Sequence, residues 1–352
     1  MRHKPKKELY FMKKFGMVKK IAASLMAVVL AFAAAGCTNE NTSSAQSSSG
    51  QSTDEKLKIG VVQIMEHTSL DTIRDSFLEK MEQLGYGEDK VEYDIQNAQG
   101  EQSSLSTICK KFVGDDVDLI VAIATQTAQT AAATTSDIPV LFSAVTDPVQ
   151  AKLLTDPEHP DGNVTGTSDA IPVDQVLNLC QQLTPDVEKI GFLYTSSEIN
   201  SQVTVEEAMK LAEEMGYQMQ LMTISETSEL QQAAQTLAQE TDAIYVPIDN
   251  TIAQAMPVLA QVGIDFQVPI YTGADSMVLD GGFATVGIDY TKLGAQTAEM
   301  ADKILTGTPI SQLPVETLSE FGTYINPDTA QQIGVEIPQE IAEKATMLSK
   351  EE

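Results

Sequence analysis

The chain has no tryptophan, and aromatic residues make up only 5% of it. Stacking platforms for nucleic-acid bases depend on such residues, so their scarcity argues against one. Positive charge is short as well, with 22 Lys and Arg against 50 Asp and Glu and a net charge of -28. A surface this acidic repels nucleic acid and anionic lipid and keeps a protein soluble. There are three cysteines and three histidines, with no Cys-x-x-Cys and no His-Glu-x-x-His, so no zinc or other metal site is expected. No Gly-x-x-x-x-Gly-Lys loop, no Gly-x-Gly-x-x-Gly after a strand and no Gly-x-Ser-x-Gly elbow is present. No cofactor is therefore expected, although these absences leave carboxylate catalysis open.

What is present begins with an export signal. Arg2, Lys4, Lys6, Lys7, Lys13, Lys14, Lys19 and Lys20 precede an apolar run from Ile21 to Ala35, which is too short for a membrane-spanning helix. The run ends in Ala34-Ala35-Gly36-Cys37, which is similar to a bacterial lipobox and marks Cys37 for lipidation. A plain signal peptide cleaved nearby is the other reading. Loss of residues 1–36, with eight basic side chains and the one acid Glu8, takes the net charge from -28 to -35. Residues 37–56 then form a polar, Ser-rich tether with nothing to bury. An anchor and a tether place the globular part just outside a cell membrane. Cys109 and Cys180 fall in helical patterns and read as small core residues.

From Leu57 on, strand and helix patterns alternate, which predicts parallel sheets covered by helices on both faces. Leu57–Gln63, Val91–Asn97, Leu119–Ala124, Ile138–Phe142 and Val164–Thr167 are the first strands. The pattern then restarts with Lys189–Tyr194, Gln218–Ile224, Ala243–Pro247, Val268–Tyr271 and Ala284–Ile288. A single helix containing Pro257 is expected from Thr251. The segment from Val117 can be laid over that from Thr241, and Ile138-Pro-Val over Val268-Pro-Ile. The Leu84-Gly-Tyr turn likewise recurs at Met215. The three offsets are 124, 130 and 131 residues. An internal repeat of this kind predicts an α/β fold of two doubly wound parallel-sheet lobes facing across a cleft.

Ligands of open α/β sheets bind beyond the carboxyl ends of the strands. The first lobe offers Thr125, Gln126, Ser143, Ala144 and Thr146 there, with the loop carrying Glu66 and His67. The second offers Ser196, Asn200, Asp249, Asn250 and Asp275. Hydroxyls and helix N-termini on one side and the Asp249 carboxylate on the other suit a zwitterion. Some of these residues also have a purely structural reading: Thr125, Asp249 and Asp275 as helix caps, and the Glu66–His67 loop as a capping segment. No Arg or Lys lies at these strand ends, so a phosphorylated ligand is disfavoured.

Several motifs resemble the ABC-transporter substrate-binding proteins of type I periplasmic-binding-protein architecture, and more narrowly their tryptophan/tyrosine-type family. They are Glu66-His-Thr-Ser-Leu-Asp71, Ile138-Pro-Val-Leu-Phe-Ser-Ala-Val-Thr-Asp-Pro148, Gly162-Asn-Val-Thr-Gly166, Asp249-Asn-Thr-Ile252 and Gly287-Ile-Asp-Tyr-Thr-Lys-Leu-Gly294. Thr68-Ser69 departs from the Pro-Ala expected at that point. The resemblance implies three hinge crossovers, with residues 57–168 and 290–318 in the first lobe and 169–289 and 319–352 in the second. It also implies a monomer that captures an aromatic amino acid (tryptophan, tyrosine or phenylalanine) and delivers it to an ABC permease in the membrane. An exported α/β enzyme using Glu66, Asp249 or Asp275, or a ligand sensor, are the competing readings.

Overall fold

The computed structural model describes residues 56–349. The signal, the tether and Cys37 lie outside them. The first half of the chain runs β1 (Leu57–Gln63), α1 (Thr68–Gln83), β2 (Val91–Asn97), α2 (Gln102–Gly114), β3 (Leu119–Ile123), α3 (Thr125–Thr134), β4 (Val140–Ser143) and β5 (Val164–Ser168). These strands pair in parallel in the order β5-β4-β3-β1-β2. The central strands β3 and β4 are buried at every position, as continuous apolar runs between two helical layers must be. The edge strand β2 exposes Glu92 and Ile95.

The second half repeats the plan with α4 (Val173–Leu183), β6 (Lys189–Thr195), α5 (Ile199–Glu214), β7 (Gln218–Ile224), α6 (Leu230–Glu240) and β8 (Ala243–Val246). It continues through α7 (Asn250–Gln254), α8 (Met256–Phe266), β9 (Ile270–Thr272), α9 (Asp275–Leu279) and β10 (Ala284–Gly287). Its parallel strands run β10-β9-β8-β6-β7, the same order as in the first sheet. The helix expected from Thr251 is two helices. Pro257 has no N–H to donate and its ring opposes the carbonyl four residues back, so the chain breaks at Ala255 and restarts with Pro257 in the first turn of α8.

The rest of the chain crosses between the sheets. Helix α10 (Tyr290–Leu305) packs on α1 of the first lobe, where Lys80 pairs with Glu299 at 2.7 Å and Tyr86 donates to Asp302 at 2.8 Å. The short β11 (Glu316–Thr317) adds to β5 in parallel. Strand β12 (Gly322–Ile325) then joins the second sheet, antiparallel to β10. The chain ends through α11 (Pro327–Ile333), α12 (Gln339–Ala342) and β13 (Thr346–Met347), which pairs with β12. The backbone thus passes from one sheet to the other after β5, after β10 and after β11. Cys109 and Cys180 are buried and free. Among the described residues no helix is long and apolar enough to cross a membrane.

Candidate functional site

The carboxyl ends of the two sheets meet over a cavity. It is lined from the first lobe by His67, Ser69, Leu70, Thr125, Ala144, Thr146 and Tyr290, and by Asp169 at the crossover that follows β5. From the second lobe come Asn200, Ile248, Asp249, Asn250, Ala253, Ala274 and Met277. In this closed form the cavity is tight, leaving about 10 Å³ for the centre of a water-sized sphere, room for about one water, so the lobes must part to admit a larger ligand. The cleft is closed by direct bonds between lobes. His67 Nε2 lies 3.1 Å from Asn250 Oδ1, Thr68 donates to Asp280 at 2.8 Å, and Gln126 Nε2 donates to the Ser197 carbonyl at 3.1 Å.

The backbone is strained where it reaches the cavity. Ala124, between β3 and α3, has φ 81 and ψ 157, and Ala144, just beyond β4, has φ 57. Residues with a Cβ seldom hold positive φ, and such outliers gather at ligand sites. At Ala124 the effect is to swing the chain abruptly from strand into helix. The first bond of α3 is Ala128 N–H to the Ala124 carbonyl, so the N–H groups of Thr125, Gln126 and Thr127 stand ahead of the ladder. No side chain caps α3, and none caps α1, whose first bond is Asp71 N–H to the His67 carbonyl.

The second lobe contrasts sharply, because its helix terminus is already filled by carboxylates of the protein. Glu198 accepts from the N–H groups of Asn250 and Thr251, from Asn250 Nδ2 and from the Thr251 hydroxyl. Asp249 accepts from Ile252 N–H, Thr195 N–H and the Thr195 hydroxyl at 2.7–2.9 Å. Asp249 lines the cavity, but both of its oxygens are engaged in capping α7 and tying it to β6. Burial, reinforced by the charge of Glu198, pushes its carboxyl upward in pKa.

Asp169 is the less satisfied acid. It is buried, and it accepts from the Thr146 hydroxyl at 2.8 Å and from the Tyr290 hydroxyl at 3.4 Å. Burial pushes it up to about 6 against those hydrogen bonds. No Lys or Arg lines the cavity to balance it. The sequence reading passed over Asp169, although it stands directly after β5 and so obeys the strand-end rule. Ser69, Met277 and Tyr290 were likewise missed. Tyr290 opens α10 at a crossover, and its place becomes visible only once that helix returns to the first lobe.

Five expected residues do not line the cavity. The Ser143 hydroxyl turns into the first lobe, where it meets the hydroxyls of Thr297 at 2.8 Å and Thr167 at 3.3 Å. Ser196 and Glu66 are exposed. Gln126 stands at the rim, bridging the lobes as described. Asp275 accepts from the N–H of Ser276, within the first turn of its own helix, at 2.7 Å, and burial pushes it up to about 6. Thr125, Ala144, Thr146, Asn200, Asp249, Asn250 and His67 are all in the cavity wall.

Two parallel α/β lobes, joined by three strands of chain and closed over a polar cavity, define the type I class of solute-binding protein. The chain belongs to the ABC transporter substrate binding protein family, which it matches over residues 58–348. It is 39% identical to the tyrosine-binding protein of Clostridioides difficile over 321 residues, 90% of this chain and 93% of that one. The L-Trp complex of an ABC domain from Streptococcus pneumoniae is 39% identical and superposes with a TM-score of 0.81, covering 84% of this chain and all of that one. A ligand-free, open substrate-binding protein from Clostridium difficile, 36% identical with the same coverage, superposes less well, with a TM-score of 0.66. That difference agrees with the closed cleft seen here. The family and these relatives are binding proteins, not enzymes, which sets aside the enzymatic reading. Such proteins are extracytoplasmic and work with an ABC permease.

Proposed function

We propose that the protein captures an aromatic amino acid and delivers it to an ABC importer, held at the outer face of the membrane by a lipid on Cys37. One observation carries the ligand class. Asp169 is a buried carboxylate with no cationic partner, in the same cavity as two uncapped helix N-termini. An ammonium satisfies the first and a carboxylate the second. Asp169 thereby takes the role that sequence spacing suggested for Asp249, whose oxygens are occupied. Leu70, Ile248, Ala253, Ala274 and Met277 supply apolar wall for the side chain. The tyrosine and tryptophan named for the two 39%-identical relatives support an aromatic one. The protein acts as a monomer, each copy enclosing its ligand between its own two lobes.

Calorimetric titration of the purified protein with the common amino acids tests this. Tryptophan, tyrosine or phenylalanine is expected to bind and to be recovered unaltered. Failure of all three refutes the aromatic assignment. Asp169→Asn is expected to weaken binding by about 1.5–3 kcal/mol, the range for a hydrogen bond to a charged group. Globomycin-type inhibition of signal processing, followed by membrane fractionation, tests Cys37. A protein released intact from membranes under all conditions would show that it carries no lipid.

A further inference from the structure

Two buried acceptors in the cavity wall have no hydrogen-bond partner among the described residues, His67 Nδ1 and Asn200 Oδ1. Their character as acceptors follows from what surrounds them. Asn250 Nδ2 lies 2.7 Å from Glu198 Oε2, and a carboxylate already receiving several N–H groups only accepts. That fixes the Asn250 amide with its Oδ1 toward His67 Nε2, 3.1 Å away. Since an amide oxygen cannot donate, Nε2 must carry the proton. Burial lowers the His67 pKa and keeps the ring neutral. A neutral imidazole protonated at Nε2 has a bare lone pair at Nδ1.

The same logic orients Asn200. Its Nδ2 donates to the Ile248 carbonyl at 2.9 Å and to Glu198 Oε2 at 3.2 Å, both of which are acceptors. Asn200 Oδ1 is left over. Glu198 therefore acts as a positioning residue that aims two amides at once. The result is one acceptor from each lobe, each costly to leave unmade in a buried site.

We propose that His67 Nδ1 and Asn200 Oδ1 share, in a three-centre bond, the single donor hydrogen on the side chain of the ligand, so that the site selects tyrosine or tryptophan over phenylalanine. This rests on the aromatic amino-acid reading above. Asp169 and the helix termini serve the parts common to all three ligands. A phenol O–H or an indole N–H is the part that phenylalanine lacks. A site built to hydrogen-bond such a group rejects the analogue without it, because its own polar atoms then stay buried and unpaired.

The test is calorimetric titration of the parent protein and of His67→Ala and Asn200→Ala with tyrosine, tryptophan and phenylalanine, with melting temperatures recorded alongside. The parent is expected to bind phenylalanine at least about tenfold more weakly than the better of the other two. Each variant is expected to narrow that gap, chiefly by losing affinity for the donor-bearing ligand. Equal binding of all three by the parent overturns the inference and leaves the amino-acid reading standing. Absence of binding by all three overturns that reading as well. An equal loss of all three in variants that melt like the parent assigns the acceptors to the common ammonium and overturns the selectivity role. Two separate variants are used so that misfolding of one leaves the other to decide.

Discussion

Ser69 Oγ and Ser276 Oγ lie 2.5 Å apart, joining the start of α1 in one lobe to α9 in the other. Together with Thr68 to Asp280 and His67 to Asn250, this bond joins the two lobes directly across the cleft. Thr68 and Ser69 are the two positions at which the family resemblance predicts Pro-Ala, neither of which has a side chain that can donate. The closed arrangement is therefore stabilised in part by this chain's own side chains, with each neutral hydrogen bond contributing about 1 kcal/mol net. Combining Thr68→Ala with Ser276→Ala is expected to shift the equilibrium between closed and open forms toward the open one. Small-angle scattering should show a larger radius of gyration, and ligand affinity should fall as the competent fraction falls. An unchanged scattering curve would sink the latch.

A pH dependence follows from Asp169. Its pKa in the fold, about 6, lies above the ordinary aspartate value of about 3.9. Between those two values the folded protein keeps a proton that the unfolded chain has released. The contribution of this group to stability therefore declines as pH rises through that window and is level above it. Binding of an ammonium needs the ionised form, so affinity should run the opposite way, roughly tenfold weaker at pH 5 than at pH 7. Asp169→Asn should reduce both trends, leaving the residual slope from Asp249 and Asp275, which burial shifts in the same direction, and the opposing slope from His67, whose pKa burial lowers so that its contribution to stability rises with pH. Parallel melting curves and titrations from pH 5 to 7.5 decide it. An affinity that does not change with pH would remove Asp169 from the ammonium site.

Ser143 should behave as a core residue. Its hydroxyl closes a triangle with Thr167 and Thr297, and those two remain 2.8 Å apart without it. Ser143→Ala is thus expected to cost about 1 kcal/mol of stability and to leave ligand affinity within error. A selective loss of affinity at unchanged stability would return Ser143 to the ligand site.

The repeat made the sheets and their facing ends legible, because runs such as Leu119–Ile123 and Ala243–Val246 signal buried parallel strands wherever they lie. It also located Thr125, Ala144 and Asn250. What it did not reveal was direction. Ser143 and Ala144 are adjacent in sequence, yet one points into the lobe and the other faces the cavity, since strand neighbours alternate and φ turns positive at Ala144. Nor did spacing distinguish Asp249 from Asp169, since that choice rests on hydrogen bonds from Thr195 and Ile252 that only the folded chain supplies. Short terminal elements such as β11 and β13, two residues each, carry too little periodicity to be read at all.

The return of α10 to the first lobe depends on a glycine. A Cβ on Gly294 would collide with the Ser76 hydroxyl and with the Ile73 backbone carbonyl of α1. The hydroxyl can rotate away, but the carbonyl belongs to a helix and cannot. Gly294→Ala must therefore part the two helices, a strain of about 1–3 kcal/mol, partly offset by up to about 1 kcal/mol of better helix propensity. A net loss of about 1–2 kcal/mol is expected, read as a lower urea midpoint with an unchanged slope. Because Tyr290 lies one turn before Gly294 and donates to Asp169, the displacement should also weaken ligand binding. The double effect separates this helix contact from an ordinary packing defect. If stability falls while affinity holds, α10 positions nothing at the site and Tyr290 is only part of its wall.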